Sequence, residues 1–234
     1  MTALGDADLD APSRLPGWSR LTVACHLRYG AEALRRMTDG SLSGEPTSYY
    51  PAGRATQRPR TLAPRRGESS ADVVASLRDE SRALHERWRT VEEWAIRIVE
   101  PSDNPDLGPV ELRRLVLARL TEVEVHGTDL GLGLGPWSEV LVRHVLPMRL
   151  EWLNSRPSNH RGVDTSIRGS WLLVATDMSV SQVVTVDGPT VVSRPGDSAD
   201  STIMGTGAEL LALLLGRAPG GFAPEDFNRA VPGP

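Results

Sequence analysis

Apolar residues recur every three or four positions in the first part of the chain, which is the spacing of one face of an α-helix. The first such stripe consists of Val23, Leu27, Ala31 and Leu34. Ser19 precedes it, and a serine there can accept hydrogen bonds from the free amides of a first helical turn. We therefore predict a helix that begins near Arg20. Gly40 would end it, because glycine is common just beyond the last turn.

Three further helices follow from the same spacing. The second starts after Ser69 or Ser70 and has the apolar stripe Val73, Leu77, Leu84, Trp88 and Val91. The third is predicted from Pro109 to about Gly127, with a buried stripe at Leu112, Val116, Leu120 and Val123. The fourth spans about 136–154, where Pro147 should kink or interrupt it.

Residues 41–70 show no periodicity and are long for a connection within a domain. Prolines alternate there with the arginines Arg54, Arg58, Arg60, Arg65 and Arg66. One interpretation is a solvated, mobile loop. The other is a lid whose guanidinium groups meet an anionic substrate, since arginine matches the geometry of a carboxylate.

From residue 166 the apolar spacing changes to two, which indicates β-strands. The predicted strands are Ile167–Ala175, Gln182–Val186, Thr190–Ser193 and Ser201–Met204, with a hairpin turn at Asp187–Gly188 and a short helix over Gly207–Leu215. The composition changes near residues 155–160. We therefore predict an α+β protein, with a helical domain over residues 1–155 and a small α+β domain over 156–234.

Composition narrows the functional classes. The chain has 39% hydrophobic and 24% charged residues and a net charge of -4, which gives no reason to expect nucleic acid as a partner. No apolar run approaches the roughly 20 residues of a membrane span, and the first residues lack the apolar core of a signal peptide. Cys25 is the only cysteine, which fits a reducing cytoplasm. All 26 basic residues are arginine, which favours a bacterial source of high GC content.

The candidate chemistry lies in two predicted helices. Glu122 and His126 are four residues apart, so they share one helical face and lie one turn from each other. A helix carrying His26 could face them and complete a two-histidine, one-carboxylate metal site with open positions, as catalytic metal sites have. The alternative is an ordinary side-chain pair on a helix surface. His85, His144 and His160 remain possible ligands, and Cys25 is predicted to be buried and inert.

Three segments in this order are similar to one known family. They are Leu15-Pro-Gly-Trp-Ser-Arg-x-x-Val-x-x-His26-Leu, Glu122-Val-Glu-Val-His126-x-x-Asp129-Leu, and Gly205-Thr-Gly-Ala-Glu-Leu-Leu-Ala-Leu-Leu-Leu-Gly-Arg217. The chain resembles the mycothiol-dependent maleylpyruvate isomerase family, within the DinB-like metal-binding bundles, over nearly its whole length. This resemblance implies a DinB-like four-helix bundle followed by a sterol-carrier-like α+β domain.

The resemblance also implies a mechanism. His26, Glu122 and His126 would bind a divalent metal, usually zinc, and mycothiol, an actinobacterial thiol, would be the cosubstrate. The metal would stabilise the thiolate, which attacks an electrophilic carbon of a small second substrate. Isomerisation then proceeds by addition, bond rotation and elimination, whereas other members transfer mycothiol to an electrophile. The oligomeric state is left open.

Two arginines are candidates to hold a substrate carboxylate. Arg217 resembles a family arginine that reaches toward the site, although a basic residue at a helix C-terminus also complements the helix dipole. Arg82 is a second candidate for the same role. The Arg/Pro-rich loop and Gly127-Thr128 depart from the family pattern, so the second substrate is left open. A metalloenzyme that does not use mycothiol, and a non-catalytic binding protein on the same fold, remain as alternatives.

Overall fold

The computed structural model describes residues 6–95, 97–98, 110–133, 136–155 and 164–231. Contacts divide the chain into two compact units, Met1–Pro136 and Trp137–Pro234. The predicted domain boundary near residues 155–160, with His160, lies almost wholly outside the described residues.

The first unit is built from helices and one short strand pair. In chain order its elements are α1 (Asp6–Asp10), α2 (Arg20–Ser43), α3 (Arg54–Thr61), α4 (Ser70–Trp88), β1 (Arg97–Ile98), β2 (Val110–Glu111) and α5 (Arg113–Asp129). Strands β1 and β2 pair in antiparallel fashion. Helix α2 packs against both α4 and α5. The core between them contains Ala31, Leu34, Met37, Leu84, Val91, Leu112 and Leu115.

Helix α2 begins where the sequence predicted and ends later. The Ser19 hydroxyl accepts a hydrogen bond from the amide of Thr22 at 3.1 Å, and the four predicted stripe residues are all buried. The predicted end at Gly40 is wrong, because the helix runs to Ser43 and stops at Gly44, whose φ is 76°. Gly40 instead lies where the following chain passes close to the helix backbone. A Cβ atom there would lie 2.5 Å from the carbonyl oxygen of Glu45.

The segment over residues 41–70 contains regular structure that the sequence did not reveal. Helix α3 occupies eight of its residues and includes Pro59. No residue of α3 is buried, so there is no apolar stripe from which to predict it. The predicted start of α4 is confirmed, since Ser69 and Asp72 form a reciprocal capping box at its first turn.

The buried stripe predicted for α5 is partly wrong. The helix begins at Arg113, later than predicted, and Val116 and Val123 are 39% and 42% exposed. The buried residues within it are Leu115, Arg119, Val125 and Asp129. The helix therefore turns a partly polar face inward, where Glu122 accepts a hydrogen bond from His26 of α2.

The second unit combines helices with a four-stranded sheet. Its elements are α6 (Glu139–Trp152), a 3-10 turn (Leu153–Ser155), β3 (Arg168–Ala175), β4 (Ser181–Asp187), β5 (Thr190–Pro195), β6 (Ser201–Gly205), α7 (Gly207–Leu214) and α8 (Glu225–Ala230). Ser138 caps α6, and Pro147 lies inside this helix without interrupting it. Helix α6 packs against α7.

The sheet agrees with the spacing-based prediction. Its strand order is β5-β4-β3-β6, with β3 and β6 parallel and the other neighbours antiparallel. The hairpin between β4 and β5 turns at Gly188, whose φ is 61°. In the core of this unit Trp171 meets Phe227 edge-to-face, with ring centroids 5.5 Å apart.

The predicted α+β class is confirmed, with a helical N-terminal part and a sheet in the C-terminal part. Helix α6 belongs by its contacts to the second unit, whereas the sequence placed it in the first. The boundary at residue 155 stays a prediction. No helix in the described part of the chain has both the length and the apolar character that crossing a bilayer requires.

Candidate metal centre

His26 of α2 and the pair Glu122 and His126 of α5 converge in the first unit. Glu122 Oε2 lies 2.7 Å from His26 Nε2 and 3.4 Å from His126 Nε2. One potential ligand atom from each residue lies within 4.8 Å of the others. The i, i+4 spacing on α5 supplies two of the three, and the packing of α2 on α5 supplies the third.

This donor set fits a divalent cation. Ligands at about 2.0–2.1 Å from a tetrahedral zinc lie about 3.3 Å from one another. The Glu122 and His126 donors already have a separation close to this, 3.4 Å, whereas Glu122 and His26, 2.7 Å apart, would move apart to share a cation. The side chains of both histidines are 13% exposed. Nδ1 of His26 is buried and has no hydrogen-bond partner among the described residues. Three donors around one point leave room for a cosubstrate, as in catalytic sites.

Asp129 orients His126. Its carboxylate is 2% exposed and accepts a hydrogen bond from His126 Nδ1 at 2.8 Å. That bond selects the tautomer whose Nε2 faces Glu122, in the manner of the carboxylate partners of metal-binding histidines. The sequence reasoning assigned Asp129 no role. The i, i+3 spacing from His126 was the available signal.

Trp18 covers the two histidines. Its ring stacks on the His126 ring at a centroid distance of 6.2 Å and meets the His26 ring edge-to-face at 5.5 Å. The two imidazole rings are themselves 4.8 Å apart. Trp18 lies in the turn before α2, so the capped start of that helix also places the indole at the site.

A buried arginine, Arg119, lies one turn before Glu122 on α5. Arg119 is 8% exposed and donates to the carbonyl oxygen of Leu27 at 2.7 Å and to Ser81 Oγ at 3.0 Å. Because Leu27 follows His26, this arginine joins the two helices that supply the donors. Gly30 allows the arrangement, since a Cβ atom there would lie 3.3 Å from Arg119 Nη1 and 3.2 Å from the Tyr49 hydroxyl.

The electrostatics of the cluster favour an ionised carboxylate. Burial raises the pKa of Glu122, but hydrogen bonds from His126 and His26 outweigh it and hold that pKa far below its ordinary value. Burial lowers the pKa of His126, but hydrogen bonds to Asp129 and Glu122 outweigh this effect and raise the pKa to about 9. A metal ligand must be unprotonated, so metal binding at this cluster would be coupled to proton release.

Comparison with known proteins identifies the family. The profile of the mycothiol maleylpyruvate isomerase N-terminal domain matches residues 1–131, which contain all three donors. The chain belongs to this family. Two crystal structures of the mycothiol-dependent maleylpyruvate isomerase, one of a histidine-to-alanine variant, have the same fold. Each is 20% identical, with TM-scores of 0.69 for the variant and 0.68 for the other. The alignments cover 93% and 94% of this chain and 82% and 83% of those chains. No curated protein matches at a significant level.

The other predicted residues of this mycothiol maleylpyruvate isomerase family member lie elsewhere. Arg82 is exposed on α4 and pairs with Asp79 at 3.4 Å. Arg217 follows α7 in the second unit, where burial and the charge of Arg217 lower the pKa of Arg149 to about 10. His85 and His144 are exposed, and Cys25 is fully buried. The roles of Arg82 and Arg217 stay predictions.

Proposed function

We propose that the chain is a metal-dependent enzyme that uses mycothiol as cosubstrate and acts as an isomerase or transferase on a small electrophile. The observation that carries this proposal is the cluster of His26, Glu122 and His126 inside the region that matches the mycothiol maleylpyruvate isomerase family. Membership makes mycothiol the first thiol to test. The geometry makes metal dependence the first property to test.

His26, Glu122 and His126 would hold the cation, and zinc is the first candidate. Two imidazoles and one carboxylate also suit iron or nickel, so the donor set alone does not select the metal. When bound, a divalent cation favours the deprotonated form of a thiol that coordinates it.

The remaining residues prepare the site for that chemistry. Asp129 keeps the His126 donor nitrogen directed at Glu122, and Arg119 of α5 joins that helix to α2 by a hydrogen bond to the carbonyl oxygen of Leu27. Trp18 shields one side of the imidazole pair from water. Arg217, and less directly Arg82, remain proposed partners for a substrate carboxylate. The Arg217→Ala and Arg82→Ala variants would test these roles by their KM values.

The proposal is tested by turnover with defined components. Protein loaded with one equivalent of zinc is mixed with maleylpyruvate, or with a maleimide, in the presence of mycothiol or of cysteine. We expect a rate above the uncatalysed addition of the same thiol only when both zinc and mycothiol are present. We expect Glu122→Gln to lower kcat/KM by roughly 100-fold or more, because it removes the anionic donor.

The controls separate the alternatives. Glu124→Gln changes a carboxylate of the same helix, two residues from His126, and should leave the rate unchanged. Equal turnover without mycothiol would indicate a metalloenzyme with another cosubstrate. Zinc binding without turnover of any electrophile would contradict an enzymatic role and favour a binding protein.

A further inference from the structure

Arg58 is an arginine of the first unit held close to the metal centre. It is the fifth residue of α3, and its guanidinium carbon lies 5.6 Å from the centroid of the Trp18 ring. The same indole ring lies 6.2 Å from the ring of His126 and 5.5 Å from that of His26. Arg58 and the two imidazole rings therefore contact the same indole ring, which places the guanidinium at the edge of the donor cluster.

Arg58 has no acidic partner among the described residues, unlike several arginines around it. Several of its neighbours along the chain and on α2 and α4 are paired at short distance: Arg28 with Glu68 at 2.7 Å, Arg65 with Glu32 at 2.7 Å, and Arg87 with Asp39 at 2.6 Å. Among the described residues, no carboxylate lies within ion-pair distance of Arg58. A guanidinium that stacks on an aromatic face still has the N–H groups at its edge available for an anion.

The segment that carries Arg58 is tied to α2 on both sides. Before α3, the carbonyl oxygen of Tyr49 accepts hydrogen bonds from Tyr29 Oη at 2.8 Å and from Arg36 at 3.0 Å. After α3, Glu68 accepts from Arg28 of α2 and from the amide of Arg65. Helix α3 therefore crosses between two anchors on the helix that carries His26. Fixing the segment in this way lowers the entropic cost of holding Arg58 in place.

We propose that Arg58 binds a carboxylate of the electrophilic substrate while the reacting carbon lies at the metal centre, with Trp18 as the platform beneath the guanidinium. The inference rests on the proposed function and narrows its substrate class to electrophiles that carry an acid group a few bonds from the reacting carbon. For an activated double bond, addition forms one S–C bond, and the proton lost by the thiol ends on the neighbouring carbon. No oxidant or reductant is needed.

The kinetic test compares two maleimides that differ in charge. Zinc-loaded protein is assayed with mycothiol and either N-(carboxymethyl)maleimide, which is anionic, or N-ethylmaleimide, which is neutral. We expect Arg58→Gln to raise the KM of the anionic electrophile by roughly 10- to 100-fold, the effect of losing one charged hydrogen-bond partner. The neutral electrophile should be unaffected, and Arg58→Lys should recover part of the loss. Arg60→Gln, on the same helix and exposed, should change neither KM.

An equal effect of Arg58→Gln on both electrophiles, or no effect on either, would overturn the inference. A second measurement keeps this separate from failure of the proposed function. If no electrophile reacts, calorimetry of succinate binding to the zinc-loaded protein decides. Binding that Arg58→Gln weakens about tenfold, and Arg60→Gln does not, would support carboxylate recognition without the thiol chemistry. If succinate does not bind, or binds Arg58→Gln as tightly as the wild type, carboxylate recognition by Arg58 is refuted.

Discussion

At the scale of single residues, polar groups determine which face of α5 is buried. Asp129 is 2% exposed, and a carboxylate so far from water is costly unless a hydrogen-bond donor satisfies it. His126 Nδ1 supplies such a donor at 2.8 Å. The same bond fixes the imidazole nitrogen that a metal would meet. The residue thus links the packing of α5 to the chemistry of the site.

Asp129→Asn should weaken zinc binding by about 10- to 100-fold, the usual cost of losing the partner of a metal-binding histidine. The amide has nearly the shape of the carboxylate but lacks its charge, and its NH2 group can face Nδ1 and favour the wrong tautomer. Competition for zinc against a chromophoric chelator measures the affinity. Glu124→Gln is the matched control on the same helix and should bind zinc as the wild type does. Unchanged affinity in Asp129→Asn would show that Asp129 does not orient the ligand.

The sequence predicted which three side chains could meet better than it predicted the contacts around them. His26, Glu122 and His126 were selected by residue type and helical spacing, and the structure brings them together. Arg119 and Trp18 were assigned no role, because their contacts join residues far apart in the chain. Such contacts depend on how α2 packs on α5, which a one-dimensional pattern does not specify.

At the scale of elements, a buried ion pair helps to hold the segment between α2 and α4 against α2. Arg28 of α2 is 3% exposed and donates to Glu68 at 2.7 Å. Glu68 also accepts from the amide of Arg65 at 2.6 Å, so this carboxylate connects the chain after α3 to α2. Removing it would leave a buried guanidinium without its acidic partner, which is more costly than losing a surface pair.

Glu68→Gln should lower the free energy of unfolding by about 1–3 kcal/mol near pH 7. Burial raises the pKa of Glu68, but the hydrogen bonds from Arg28 and Arg65 outweigh it and leave the pKa below its ordinary value. A lowered folded-state pKa gives stability that is present above the unfolded-state pKa and lost as the pH falls through the folded-state pKa.

Urea unfolding of the wild type and of Glu68→Gln between pH 8 and pH 3 tests this expectation. The difference should be constant at neutral pH and shrink under acid, below about pH 4.5. Glu86→Gln, on the exposed side of α4, should match the wild type throughout. A difference that grew toward low pH would reverse the predicted sign.

For several helices, the sequence patterns gave wrong or no predictions. Val116 and Val123 fit an apolar stripe and are nevertheless exposed, because α5 buries the side that carries Arg119 and Asp129. Gly40 resembled a helix end but marks a close approach of the chain at Glu45. Helix α3 could not be predicted, because it buries no residue. In contrast, the predicted strands match β3 to β6 to within two residues at each end. Their burial alternates less strictly than predicted, since Trp171, Leu172 and Leu173 are buried in succession in β3.

At the scale of the whole molecule, all three proposed donors lie in the first unit. The second unit carries the sheet and the proposed partner Arg217. The large helical core around Leu34, Leu84 and Leu115 does not involve the donors, so the fold should survive their loss. This separation allows the metal to be removed by mutation while the rest of the unit is retained.

The most direct test is the metal content of protein purified without a histidine tag and without added metal. Elemental analysis should find about one zinc per chain in the wild type. His126→Ala should contain little metal while keeping the circular dichroism spectrum of the wild type. His85→Ala, which removes an exposed histidine, should keep the full content. A wild-type protein without metal even after reconstitution, or a His126→Ala variant with full content, would contradict the proposed metal centre.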